Sequence, residues 1–342
     1  MEALVYHGAG DLRLQERPTP EPAAGEVVVR VGACGICGTD LRIASGSHRA
    51  YPEGTVRVPG HEIAGAIAAA GDGVALAEGT PVFVAPNIGC GRCRQCRQGR
   101  VNLCATPAAL GITLDGGFST HVLVPAAGVD QGNVMELERP LDAAVVSVVE
   151  PLACVLRGQA PLSIGPGDVV LIVGAGPIGL LHLLAARVAE PAAIVVSEPS
   201  AARRVQAAEW GADRTVDPEA EDLAGALGEG GADVVIVAAP VAAAQAEALQ
   251  LAAAGGRINF FGGLPRDASQ VALDTNLIHY KELLVTGTTA NTNEDCRAAL
   301  ELVTSGAVDA GRLVTARRTL AEATAAFEAA RSGDALKVVI EP

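Results

Sequence analysis

Val169–Ala186 reads VVLIVGAGPIGLLHLLAA: an apolar run rich in β-branched residues, a turn with three glycines and a proline, then a leucine- and alanine-rich run. Its 18 residues carry no formal charge, which approaches the length of a membrane-spanning helix. Gly174, Gly176, Pro177 and Gly179 interrupt any such helix, so strand, turn and helix is the better reading. The glycines stand at G-x-G-x-x-G spacing. They provide a tight turn, a close backbone approach to a pyrophosphate, and close packing of helix on strand. The phosphates then rest on N–H groups at the helix start, where the dipole favours negative charge. Glu198 ends the next apolar run 19 residues after Gly179, where a carboxylate can accept bonds from ribose hydroxyls. A dinucleotide-binding unit follows, with Gly174, Gly176, Pro177, Ile178 and Gly179 at the phosphates and Glu198 at the ribose.

Outward from this stretch the same pattern repeats. AAIVVS precedes a helical run at 200–210, DVVIVAA precedes one at 242–254, and RINFFG and LLVTGT (283–288) supply further strands. Apolar strands alternating with helices predict a doubly wound parallel sheet covered on both faces. Upstream, residues 25–33, 64–84 and 119–124 alternate apolar residues with Gly, Thr and Pro, and the first 150 residues read as mostly β. Downstream, helical patterns at 293–305 and 320–331 and a terminal strand LKVVI fit no further crossover and are assigned back to the first domain. At roughly 150 residues per domain, 342 residues make about two. The expected division is 1–153 with 289–342, and 154–288.

Lys and Arg total 25 against 39 Asp and Glu, a net charge of −14, which opposes binding to nucleic acid or an anionic membrane surface. The start, MEALVYHGAGDLRLQE, lacks the apolar core of a secretory signal, so the expected compartment is the cytoplasm. There, eight cysteines imply metal or thiol chemistry before disulfides.

Four of them, Cys90, Cys93, Cys96 and Cys104, lie within fifteen residues. Four thiolates so spaced enclose a tetrahedral Zn²⁺ with no open position, a structural site. Arg92, Arg94, Arg97 and Arg100 interleave with them and offset the thiolate charge. Cys37, His61 and Glu62, with Glu150 set among apolar residues, offer a second and mixed donor set. Three protein ligands leave a position for substrate, which is the pattern of a catalytic zinc.

CGICGTD (34–40), GHEIAG (60–65), the four-cysteine stretch, EPLA (150–153), GAGPIG (174–179) and SEPSAARR (197–204) occur in one order along nearly the whole chain. Through them the sequence resembles the zinc-dependent medium-chain dehydrogenase/reductase family, in the branch of sorbitol, threonine and butanediol dehydrogenases. The resemblance implies a GroES-like, mostly β catalytic domain joined to a Rossmann NAD-binding domain. It implies that Cys37 and His61 ligate catalytic zinc, with Glu62 or Glu150 completing the set or controlling a zinc-bound water. It further implies a homodimer or homotetramer, through the strand near 283–288, and Arg203 or Arg204 over the adenine or in solvent. Tyr51 and Phe118 are read as lining a substrate pocket or as core.

The expected reaction is NAD-dependent oxidation of a secondary alcohol of a polyol, sugar alcohol, cyclitol or hydroxy-amino compound to the ketone. NADP is disfavoured, because a 2′-phosphate would meet the charge of Glu198. Thr39 is expected to begin the proton relay. Two residues after Asp40, many members carry a relaying histidine where this chain has Arg42, which cannot act as a base. The continuation is left to water, the ribose or His48. Two alternatives stand beside this reading: a zinc-independent NADPH quinone or enoyl reductase of the same superfamily, and a non-enzymatic zinc-dependent binding protein. The thiol and imidazole donors argue against the first, and the glycine-rich turn against the second.

Overall fold

The computed structural model describes residues 1–342 apart from the side chain of residue 266. The chain divides into two compact units, Met1–Ala153 with Ala290–Pro342, and Cys154–Thr289.

The first unit is built on a sheet ordered Val314–Thr319, Lys337–Glu341, Val27–Gly35, Glu62–Ala70, Pro81–Val84, Val134–Glu136, with His121–Val124 also paired to Val27–Gly35. Only the pair Val314–Thr319 and Lys337–Glu341 is parallel. Its core is β-branched: Val27, Val29, Val31, Ile63, Ile67, Val82, Val84, Val122, Val338 and Ile340 are buried together. Tyr51 and Phe118 belong to the packing. The Tyr51 hydroxyl donates to the Gly111 carbonyl at 2.8 Å, and Phe118 meets Phe327 edge to face. The stretch 64–84, expected to form short antiparallel strands, holds two, Glu62–Ala70 and Pro81–Val84, parted by a turn in which Gly73 and Gly79 have positive φ. The sequence reading assigns no strands to the antiparallel pair Glu2–Gly8 and Asp11–Glu16, and no helix to Gly38–Ala44.

The second unit holds a six-stranded parallel sheet, ordered Arg214–Val216, Ala193–Ser197, Val169–Val173, Ala232–Val237, Ala252–Phe260, Leu284–Thr286. Numbered along the unit this is 3-2-1-4-5-6, the doubly wound order of dinucleotide-binding folds. Val170, Leu171, Ile172 and Val234–Val237 are fully buried, as strands covered on both faces must be. The helix read over 242–254 stops at Leu251, because Ala252 already pairs with Ala232 of the neighbouring strand. Among the described residues one helical run, Ala143–Leu162, is long and apolar enough to cross a membrane by length and composition, but 67% of its window is buried in the protein.

Candidate active site and metal centres

The strand Val169–Val173 runs into Gly174 and then the helix Pro177–Arg187, with proline in its first turn and no side chain capping its start. Its first N–H groups are therefore left for an anionic ligand. A Cβ on Gly179 would lie 1.9 Å from the Gly174 carbonyl oxygen, so only glycine lets the helix come this close to the turn. The Glu198 carboxylate is buried at the end of the next strand. One oxygen accepts from Ala175 N–H at 2.7 Å and the other from Ser200 N–H at 3.0 Å. Arg204 donates to the carbonyls of Glu198 and Pro199 and pairs with Asp217 at 3.0 Å. Arg203 sits half-buried in the first turn of the helix Ala201–Glu209.

The four-cysteine lobe forms from local chain alone. Cys90, Cys93, Cys96 and Cys104 bring their sulfurs within 4.8 Å of one another. Cys93 Sγ lies 3.4 Å from Cys96 Sγ and 4.0 Å from Cys104 Sγ. A tetrahedron with metal–sulfur bonds of about 2.3 Å has edges of about 3.8 Å, so the arrangement fits one Zn²⁺ enclosed by four thiolates. Backbone N–H groups support the charge: Cys96 N–H donates to Cys93 Sγ and Cys90 N–H to Cys104 Sγ, both at 3.4 Å. Such donors hold the Cys90 thiol down to about 6 and lower that of Cys93, while burial pushes Cys96 up.

The second cluster is assembled from distant parts of the chain. Cys37 caps the seven-residue helix Gly38–Ala44, and its own N–H donates to Asp40 Oδ2 at 2.9 Å. His61 precedes the strand Glu62–Ala70, and the donor atoms of Cys37, His61 and Glu62 all lie within 4.8 Å. Asp40 Oδ1 and His61 Nδ1 are buried 3.5 Å apart, and neither has a hydrogen-bond partner. Burial alone would lower the His61 pKa, but Asp40 and Cys37 outweigh it and raise it well above the ordinary value. The surroundings thus favour positive charge at the imidazole. A thiol, an imidazole and a carboxylate in such a pocket fit a divalent cation held by three donors with a position open.

Lys337, which the sequence reading does not single out, donates to both Glu62 oxygens at 2.7 and 2.8 Å and to the Ile36 carbonyl at 3.2 Å. It is one of only two lysines in the chain and directly precedes the apolar run 338–340, which is the signal that could have found it. A Cβ on Gly35 would lie 1.9 Å from Glu62 Oε2, so glycine there makes room for the carboxylate. Glu150 is buried on the helix Val149–Gln159 and lies outside the 4.8 Å group. Its Oε1 accepts from Asn291 Nδ2 at 2.7 Å. Burial pushes the Glu150 carboxyl up, His61 draws it back, Glu62 adds to the rise and Asn291 opposes it.

Thr39 is half-buried, and its hydroxyl oxygen accepts from Arg42 Nη2 at 3.0 Å. The sequence shows Arg42 only as a residue that cannot act as a base, whereas in the fold it is a hydrogen-bond partner of Thr39. His48 Nδ1 accepts from Ala50 N–H at 3.3 Å, and burial, with Arg42 and Arg49 nearby, lowers its pKa. Cys34 and Cys296 are buried, in keeping with packing roles.

A mostly β unit carrying two metal-type clusters, joined in one chain to a doubly wound sheet with a glycine-rich phosphate turn, defines a zinc-type dehydrogenase. Residues 23–132 match the family model of the alcohol dehydrogenase GroES-like domain, and 177–305 that of the zinc-binding dehydrogenase domain. The chain is 32% identical over 352 residues to a sorbitol dehydrogenase of Halalkalibacterium halodurans, covering 100% of this chain and 99% of the relative. It superposes with a TM-score of 0.92 on a zinc-binding dehydrogenase of Sinorhizobium meliloti bound to NADP, at 37% identity and 100% and 99% coverage. An alcohol dehydrogenase of Escherichia coli CFT073 complexed with NADH gives 0.91, 29%, and 100% and 99%. The chain belongs to the zinc-dependent medium-chain dehydrogenase/reductase family, and is an oxidoreductase that uses a nicotinamide cofactor.

Proposed function

We propose that this enzyme oxidises a secondary alcohol of a polyol, sugar alcohol, cyclitol or hydroxy-amino compound to the ketone, reversibly, with NAD. The observation that carries the reading is the set of half-buried Cys37 and buried His61 and Glu62, its donor atoms within 4.8 Å of one another, with the Thr39 hydroxyl two residues from Cys37. Relatives such as the sorbitol dehydrogenase support the polyol class. Cys37 and His61 would hold the catalytic zinc, with Glu62 or Glu150 as the carboxylate, and the four lobe cysteines would hold a structural zinc. When bound, the catalytic zinc supplies Lewis acidity toward the alcohol oxygen and the nicotinamide accepts the hydride.

This chain's own residues do the rest. The charge of Asp40 acts on His61 across 3.5 Å, and Lys337 keeps Glu62 in place through bonds to both its oxygens. Thr39 Oγ1 takes the proton leaving the alcohol and passes its own onward. Arg42 occupies one acceptor position of that oxygen and cannot itself accept a proton, so the relay leaves by another path. His48 Nδ1 is engaged by Ala50, which favours water or the ribose as the next carrier.

For the cofactor, the engaged and buried Glu198 supports NAD: a 2′-phosphate would meet its charge, and Arg204 is taken up by two carbonyls and Asp217. The strand Leu284–Thr286 ends its sheet with Leu284 exposed, which supports pairing with a second copy into a homodimer or homotetramer. Eight free cysteines suit a reducing cytoplasm. A panel of polyols and hydroxy acids with NAD⁺ and NADP⁺, run beside zinc analysis, tests the reading. Turnover without zinc, or none on any secondary alcohol, would overturn it.

A further inference from the structure

A chain of hydrogen bonds, donated by side-chain amides and passing through the backbone carbonyls of Gln131 and Asn87, runs from the four-cysteine lobe to Glu150, and neither the fold nor the reaction accounts for it. Gln131 clasps Gly89, the neighbour of Cys90, accepting from its N–H at 3.0 Å and donating to its carbonyl at 2.9 Å. Asn293 Nδ2 donates to the Gln131 carbonyl at 2.7 Å and to Asn133 Oδ1 at 3.1 Å. Asn133 Nδ2 donates to the carbonyls of Ala85 and Asn87, each at 2.8 Å. Asn87 Nδ2 donates to Asn291 Oδ1 at 2.9 Å, and Asn291 Nδ2 donates to Glu150 Oε1 at 2.7 Å. Asn133 and Asn291 are fully buried.

The last two links, Asn87 to Asn291 and Asn291 to Glu150, run side chain to side chain, and the first restricts the second. An asparagine amide can present its NH₂ or its oxygen to a given neighbour. Asn87 gives its NH₂ to Asn291 Oδ1, which leaves the Asn291 NH₂ for the carboxylate. Asn293 Oδ1 is buried without a partner among the described residues, whereas Asn133 and Asn291 are paired, and paired buried members favour a single arrangement. Groups that hydrogen-bond the residues of a metal site typically change metal affinity or activity by about 10- to 100-fold when removed.

We propose that Asn291 is a positioning residue for the Glu150 carboxylate, and that Asn87, Asn133, Asn293 and Gln131 tie that positioning to the four-cysteine lobe. The inference rests on the reading that Glu150 acts at the reacting centre.

The test uses the full-length holoenzyme with Co²⁺ replacing zinc at the catalytic site, so that visible absorption reports its surroundings alongside steady-state kinetics. Asn291→Ala shifts the cobalt bands and lowers kcat by about tenfold or more, with KM changed less. Asn87→Ala, which leaves Asn291 and Glu150 in place, gives a smaller shift of the same sign and covers the case in which the first variant does not fold. The double variant is no worse than Asn291→Ala alone. Gln131→Ala gives the smallest shift in the same direction. Wild-type bands and kcat in Asn291→Ala would overturn the proposal, as would additive losses in the double variant, and an unmoved spectrum in Gln131→Ala would overturn the tie to the lobe. Glu150→Gln separates the two readings: full activity there removes the role of Glu150 itself, whereas a large loss there with an unaffected Asn291→Ala removes only this inference.

Discussion

The two metal-type clusters are built in opposite ways. The lobe takes four like donors from fifteen residues, leaves most of them partly exposed, and steadies them with backbone N–H groups. The cluster at Cys37 takes three unlike donors from a helix cap and a strand entry, buries His61 and Glu62, and sets charged side chains beside them, Asp40 from the capped helix and Lys337 from a distant strand. Four thiolates satisfy a zinc and exclude a fifth group, whereas three donors in a prepared pocket leave room for a reacting oxygen. The difference teaches that a closed site can be written in short spacing, but an open one needs the fold to bring its supports.

Substitutions that act on one cluster only break or sharpen this contrast. Cys37→Ser or His61→Ala should reduce turnover by about 10³-fold or more, since metal catalysis supplies several kcal/mol, while circular dichroism and the melting temperature stay near wild type. Cys96→Ser should do the reverse first, lowering Tm by on the order of 10 °C and reducing soluble yield, because closed sites contribute folding free energy. If both sets lost activity and stability together, the two clusters would not be distinct in kind.

Within the reacting cluster, Thr39→Val should lower kcat by about 10²-fold, the usual scale for a positioned proton-transfer group. Arg42→Ala should lower it by up to about tenfold, through the lost bond to Thr39, and leave the pH profile in place. Equal and large losses from the two would place the relay on Arg42's side after all. At the cofactor turn, NAD⁺ should be preferred over NADP⁺ by at least about tenfold in kcat/KM, and Glu198→Ser should narrow the gap chiefly through KM. Steady-state kinetics with both cofactors checks this, and a wild-type preference for NADP⁺ would give the choice to the arginines.

The smallest effect is expected away from both clusters. Burial holds His182 down to about 3, so between that value and 6.5 the unfolded chain binds a proton that the folded chain refuses. Stability therefore falls as pH drops from 6.5 toward 3, and His182→Leu should flatten urea-unfolding midpoints across that window. An unchanged pH dependence would mean that His182 is not held neutral.

What could be read from the sequence followed the same divide. The glycine turn and the lobe are local, and their spacing alone states their chemistry. Cys37 and His61 stand in compact motifs that name the donor types. The supports were hidden: Lys337 meets Glu62 across 275 residues and Asn291 meets Glu150 across 141, so no window of sequence joins them. The Arg42–Thr39 bond spans only three residues, yet it depends on a seven-residue helix too short to announce itself by apolar periodicity. Tyr51 and Phe118, open to either reading in the sequence, are core because the fold closes over them.

Two metal sites with separate tasks require two zincs per chain, and zinc content measures this most directly. Elemental analysis of active enzyme should give two zincs per chain, with one retained in folded, inactive Cys37→Ser. One zinc or none in fully active wild-type enzyme would contradict it.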